Sequence, residues 1–472
     1  MKKLLSNNLP TLDDHLQELV YCGLDSATTL ELFETLHPGL TPEALATYEQ
    51  SRRLLAPYLT MMSRGIKVDE EELERQKVSL RGRTEHLSTW FKDMAEAING
   101  ERPKDTIVNS PLQLKRLFYE SLGIPAIWKS EKGKRKIALD RKALERIYKG
   151  FRRGAPVAST LLKIRDLAKT LSTLESGLRN GRWHCSYNLA GTETGRRSSS
   201  EHPLGHGDNL QNKTKSIRPL FVADPDYLLV QADQQQAEAW DVAYLSGDEN
   251  YLKALASGDL HTTVAAMVFG FEPRRELADR KFYRDKSYRD ITKNIGFGTN
   301  YYGMPPTLAN LYGIEIPVIE DFQWRYCKGP AAAFPGIRLW QQHQIAQVQR
   351  TGRITTPFGR PRKFWGRASD DATLREAIAF EPQSMTGERT ALAIHRLYWA
   401  HEPTLQLLQD GHDAVLFQIP FDDVHILDAL DLVISTEVTD IHGDTRTQRV
   451  PWDIQCGENW GPNSAQNPKG LR

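Results

Sequence analysis

No stretch of the chain approaches the ~18 consecutive apolar residues of a membrane-crossing helix. The opening residues, MKKLLSNNLPTLDDHLQEL, carry two lysines with no apolar core behind them, so neither export nor membrane insertion is expected. Cysteine is scarce. Cys22, Cys185, Cys327 and Cys456 are the 4 in 472 residues, with no CxxC and no Cys/His spacing, which excludes a disulfide framework and the usual zinc sites and suits a reducing cytoplasm. An excess of one charge is also missing: 61 Lys and Arg against 60 Asp and Glu leave a formal net charge of +1. A nucleic-acid surface would have to come from segregating charge to one face. No internal repeat is visible. With 40% apolar residues, a chain of this length is expected to bury roughly two to four subdomain cores.

The first 180 residues are helical in period. Helices are expected around Leu12 to Leu32 and Glu43 to Ser63, with a turn at Gly65, a long helix starting after Asp69 and another over 155–180. The lysine-rich SEKGKRKIALDRK between the last two reads either as a grip on phosphate or as a solvated loop. From Gly181 the texture changes to a Gly/Ser/Thr-rich stretch and strands around Tyr227 to Ala232, which predicts a mixed α/β body from near residue 185.

That body carries two suspicious carboxylates. Asp233 ends the apolar run LLVQAD and Asp413 precedes AVLFQI, so both read as buried at strand ends. Two desolvated like charges are tolerated best around divalent metal ions. Glu238, inside the otherwise apolar helix AEAWDVAYL, is expected to face a cavity. In RDITKNIGFGTNYYG, Arg289, Lys293, Phe297 and Tyr301 recur every four residues, one slowly drifting helical stripe able to hold a triphosphate at one end and a base at the other. TETGRRSSS and NLQN supply hydroxyls, amides and arginines suited to phosphates and groove edges. GHD within LLQDGHDAVLFQIP reads as a hairpin tip. Taken singly, each has a plainer reading: a helix carboxylate, an amphipathic core helix, a polar loop, a turn with a satisfied histidine.

Taken together, these segments resemble the polymerase region of family A DNA polymerases, the bacterial DNA polymerase I type. DQQQAE resembles the first palm motif, RDITKNIGFGTNYYG the fingers helix R-x3-K-x3-F-x3-Y, and GHDAV the second palm motif. SGDEN with DLHT, FPGIRLW, TPFGRPR, REAIAFEPQS and GENWG extend the resemblance, and SRGIKVD, SPLQLKRLF and LAKTLSTL have thumb counterparts, so that it covers roughly residues 50–465. The resemblance implies an α/β (α+β) right-hand fold with helical thumb and fingers and an antiparallel-sheet palm. The implied division is 1–50 as an exonuclease-domain remnant or docking segment, 51–185 as thumb, 186–260 and 346–472 as palm, and 261–345 as fingers.

Carried over residue by residue, the resemblance makes Asp233 and Asp413 ligands of two Mg2+ ions, with Mn2+ as a substitute, and Lys293 the proton donor to pyrophosphate. Arg289, Lys293, Phe297, Tyr301, Glu238, Gln236 and His261 are implied to bind the nucleotide, Glu238 excluding a 2′-hydroxyl. Arg196, Asn209, Gln211, Arg375, Gln383 and His412 are implied to touch DNA. The implied partners are primer-template DNA and deoxyribonucleoside triphosphates, with no membrane, in the cytoplasm of a bacterium or phage-infected cell. Departures are plain: the family's glutamate after the second aspartate is Ala414, its asparagine four residues after Arg375 is Ala379, and the arginine ending the first motif is Trp240. The GTNY in the fingers resembles phage-type members and points to a phage or prophage origin. YCGLDSATT, Tyr21 to Thr29, resembles the last motif of the 3′-5′ exonuclease domain. The earlier exonuclease carboxylates have no counterpart, so this chain is not expected to proofread alone: either the activity is lost or a separate exonuclease subunit docks on residues 1–50. Two other functions compete, a single-subunit RNA polymerase, which Glu238 opposes, and a non-catalytic DNA-binding relative, which the joint presence of Asp233, Asp413, Arg289 and Lys293 opposes.

Overall fold

The computed structural model describes residues 14–131 and 134–472. Residues 1–13 of the expected N-terminal segment, and two positions of the lysine-rich loop, lie outside the described residues. Helix α1 spans Asp14–Leu36. The single helix expected over Glu43 to Ser63 is two, α2 (Pro42–Arg53) and α3 (Leu55–Arg64). Pro57 explains the break: in a continuous helix it would lack an N–H and press its ring on the carbonyl of Arg53. The long helix after Asp69 is α4, Glu70–Asn99, with the Asp69 side chain accepting from Glu72 N at 3.0 Å and Gly100 closing it at φ +76°. Helix α5 (Arg141–Gly150) and α6 (Ala155–Leu174) follow.

The chain divides into two compact units. One comprises Met62–Ser186, Ser199–Val230 and Cys456–Arg472; the other comprises Tyr187–Ser198, Gln231–Gln455 and the described residues up to Met61. In the first, α4 and α5 pack on α6 around Phe91, Phe118, Leu144, Ile147, Leu161 and Ile164, all essentially dry.

Strand β1 (Tyr227–Gln234), counted with the first unit as far as Val230 and with the second from Gln231, leads into α7 (Ala237–Ser246) of the second. Beyond these come α8 (Leu260–Phe269), α9 (Tyr288–Ile291), α10 (Phe297–Asn300), α11 (Pro335–Thr351) and the long α12 (Asp371–His401). Strands β2 (Gln406–Asp410), β3 (Ala414–Pro420) and β4 (Trp452–Gly457) complete a four-stranded sheet of order β2-β3-β1-β4, with β2 and β3 antiparallel. Helices α7, α11 and α12 pack together over a core that includes Val242, Ala243, Phe334, Trp340, Ile378 and Met385. Among the described residues, no helix is long and apolar enough to cross a membrane.

Candidate active site

The two turns that carry the aspartates are built alike. β1 passes Asp233 and enters α7 through Gln236, which takes the left-handed conformation at φ +53°. The β2–β3 hairpin turns through Gly411, His412 and Asp413, with His412 at φ +77°. Left-handed backbone is costly for non-glycine residues and persists where the surroundings hold it. The surroundings here are hydrogen bonds. Gln234 N donates to Asp413 O at 2.9 Å, so the turns are clamped backbone to backbone. His412 N donates to Asp410 Oδ1 at 2.8 Å, and Thr390 Oγ1 on α12 donates to His412 O at 2.8 Å.

Both carboxylates were expected to be buried. Asp233 is half-buried and Asp413 reaches solvent, because the hairpin tip stands out from the strands that flank it. Even so, desolvation from the protein on its other sides raises the Asp413 carboxyl above its usual value; Arg196 pulls it down and Glu238 pushes it up. Asp233, Gln236, Glu238, His261, Lys293, Phe297 and Asp413 all line one cavity of about 460 Å³. Burial lowers the His261 imidazole, with Arg289 and Lys293 adding to the effect, which favours the neutral ring. Lys293 is exposed and has no carboxylate partner among the described residues. Phe297 is 53% exposed and meets Tyr301 edge-on at 5.2 Å between ring centroids.

The expected continuous helix over the Arg289 to Tyr301 stripe is interrupted. A π-turn, Thr292–Gly296, separates α9 from α10, and Tyr301 lies just beyond α10. A wider turn breaks the four-residue register, so the stripe divides. Lys293 and Phe297 reach the cavity; Arg289 instead pairs with Asp259, the N-cap of α8, at 3.5 Å. Tyr301 donates to Glu238, and burial with that carboxylate raises its phenol well above the usual value. Arg196, expected to touch DNA, forms an ion pair with the same Glu238. Arg375 and Gln383 are half-buried on α12 and are not among the cavity-lining residues. Asn209 and Gln211 belong to the other unit, where Asn209 Oδ1 accepts from Ser199 Oγ at 2.7 Å and Gln211 N at 2.8 Å, an anchoring role for that side chain.

Residues 70–462 match the profile of DNA polymerase family A. The chain belongs to that family. Among similar proteins, a thermostable DNA polymerase I of Thermus filiformis is 31% identical over 446 residues, covering 90% of this chain and 49% of the relative. A DNA polymerase I of Chloroflexus aurantiacus is 30% identical over 86% of this chain and 43% of the relative. This family A chain thus spans about half the length of the curated relatives it matches. Its fold is similar to that of the POL domain of Pol1 from M. smegmatis, solved in complex with DNA primer-template and dNTP, at a TM-score of 0.70 and 23% identity over 87% of this chain and 70% of that one.

Tyr251, Tyr312, Tyr326 and Thr386 also line the cavity, and sequence reasoning passed them over. It also missed Asp241 and Arg389, fully buried and ion-paired at 2.6 Å. For Asp241 the available signal was a second carboxylate, three residues after Glu238, within the otherwise apolar AEAWDVAYL.

Proposed function

We propose that this chain is a template-directed DNA polymerase that adds deoxyribonucleotides to a primer 3′-hydroxyl, acting in the bacterial or phage-infected cytoplasm. In this reading the unit containing Asp233 and Asp413 supplies the palm and fingers, and residues 51–185 supply the thumb. The observation that carries the proposal is the single cavity in which two carboxylates on clamped turns face Lys293, His261 and Phe297.

The donor set fits hard divalent cations. Asp413's carboxyl is held above its ordinary range by desolvation and Glu238, so a cation there relieves an uncompensated charge. Among the described residues no three His, Cys, Asp or Glu are grouped to hold a metal. Two carboxylates completed by water and substrate phosphates are how Mg2+ is usually bound, which accommodates the loss of a third carboxylate at Ala414. Asp233 and Asp413 would hold two Mg2+ ions, which when bound would supply positive charge to offset that of the attacking oxygen and the departing pyrophosphate.

The primer 3′-hydroxyl gives up its proton to water as its oxygen bonds to the α-phosphorus, and the bond from that phosphorus to the α,β-bridging oxygen breaks to release pyrophosphate. Lys293 neutralises the phosphates and passes a proton to the departing pyrophosphate. Neutral His261 donates a hydrogen bond to the same chain of phosphates. Phe297 packs against the sugar and base, and Glu238, held by Arg196 and Tyr301, fills the space a 2′-hydroxyl would need. Purified protein with Mg2+ and four deoxynucleotides should extend a primed template, and Asp413→Asn should abolish extension. An inactive wild-type protein, or an Asp413→Asn variant that extends normally, refutes the proposal.

A further inference from the structure

Beneath the two turns lies a set of polar side chains that no step of the chemistry uses. Arg389 on α12 donates from Nη2 to Asp241 Oδ2 at 2.6 Å, from Nε to Gln234 Oε1 at 2.9 Å and from Nη1 to Gln448 Oε1 at 3.0 Å. Gln448 Nε2 and Thr386 Oγ1 each donate to Asp241 at 3.0 Å. Gln234 Nε2 donates to Thr390 Oγ1 at 2.7 Å and to Thr386 O at 3.1 Å. All six residues are at most 2% exposed.

A buried ion pair is poor evidence for stability, since apolar residues of similar size commonly hold a fold as well or better. What such a network adds is direction: each polar atom is held to named partners at fixed distances and angles, whereas apolar contacts let neighbours slide. The directions matter here. Gln234 is the residue after Asp233, and its side chain is tied to Arg389 and Thr390. Thr390 in turn holds His412 O, one residue before Asp413, while Gln234 N holds Asp413 O. Helix α12 therefore grips both aspartate-bearing turns from below through adjacent residues.

We propose that Arg389, Asp241, Gln234 and Thr390 are positioning residues that set the spacing of the Asp233 and Asp413 carboxylates, and through it the affinity for divalent cations. This rests on the polymerase reading only for its rate measurements. Two variants separate spacing from folding. Thr390→Val removes the tie to His412 with little change of shape. The double variant Asp241→Leu/Arg389→Met removes both charges together, leaving no unpaired ion.

Mn2+ binding is measured by electron paramagnetic resonance on the protein alone, thermal melting reports the fold, and primer extension is followed against Mg2+ concentration. Both variants should melt like wild type, bind Mn2+ ~10-fold or more weakly, need correspondingly more Mg2+, and approach the wild-type rate once Mg2+ saturates. Unchanged Mn2+ affinity in folded Thr390→Val overturns the inference, even if the double variant fails to fold. Failure of wild-type protein to extend primers sinks the polymerase reading and leaves the Mn2+ result to decide this one.

Discussion

Glu381 provides a quantitative test of how the buried face of α12 responds to pH. It lies on α12 at 6% exposure, with Gln344 Nε2 donating to it at 2.5 Å. Burial pushes its carboxyl from the usual 4.5 up to about 8, with Trp340 opposing and Asp241 reinforcing the rise. Between those values the native state keeps a proton that the unfolded chain has released. The stabilisation is therefore complete below the unfolded value and is lost as pH rises through the folded one. At about 1.36 kcal/mol per unit the whole loss is ~5 kcal/mol, of which ~3 kcal/mol falls between about pH 5.5 and 8.5. Glu381→Gln is neutral throughout, keeps an acceptor for Gln344 Nε2 and offers an N–H to Gln344 Oε1, which is otherwise buried without a partner. Urea unfolding of wild type and variant at several pH values isolates this group, because the titrations of groups that do not interact with it cancel in the difference. The variant should gain ~3 kcal/mol on wild type from about pH 5.5 to 8.5. A difference that stays constant with pH would show that Glu381 is not a buried, protonated acid.

Three further outcomes are expected. Glu238→Ala releases Arg196 and Tyr301 and opens the space beside the sugar, so ribonucleotide incorporation relative to deoxyribonucleotide should rise roughly tenfold or more; paired kcat/KM measurements check it, and an unchanged ratio removes Glu238 from sugar selection. Lys293→Ala should lower kcat by ~10² to 10⁴, whereas Arg289→Ala, at the Asp259 pair, should cost much less in the same assay. Tyr58→Phe removes the donor to Asp410 Oδ2 at 2.5 Å, in a cluster where Arg197 Nε also reaches Asp410 at 3.0 Å. Denaturant titration should find ~1–3 kcal/mol of stability lost, and no loss would mean that Arg197 alone satisfies the carboxylate.

Much of the site was legible because motif chemistry is local. DQQQAE, GHDA and the K-x3-F spacing identified Asp233, Glu238, Asp413, Lys293 and Phe297, and all five line one cavity. His261 followed from DLHT. The stripe was half legible: a four-residue repeat predicts one face only if every turn is α, and the π-turn Thr292–Gly296 has no signature in a periodicity count. Arg196 was singled out by TETGRRSSS, but its pairing with Glu238, 42 residues away, was not legible. Burial was misjudged at Asp413 because an apolar strand says little about the exposure of the turn that precedes it.

The sequence by itself determined the family, the start of the long helix at Asp69, and the side chains proposed to carry the chemistry, since caps and motifs act over a few residues. Only the tertiary structure decided which of those side chains share a cavity and what holds them there. Asp241 and Arg389 are separated by 148 positions and still lie 2.6 Å apart. No local pattern encodes that meeting; it follows from α7 and α12 packing face to face, where an unpaired charge would be expelled and a paired one is locked in place.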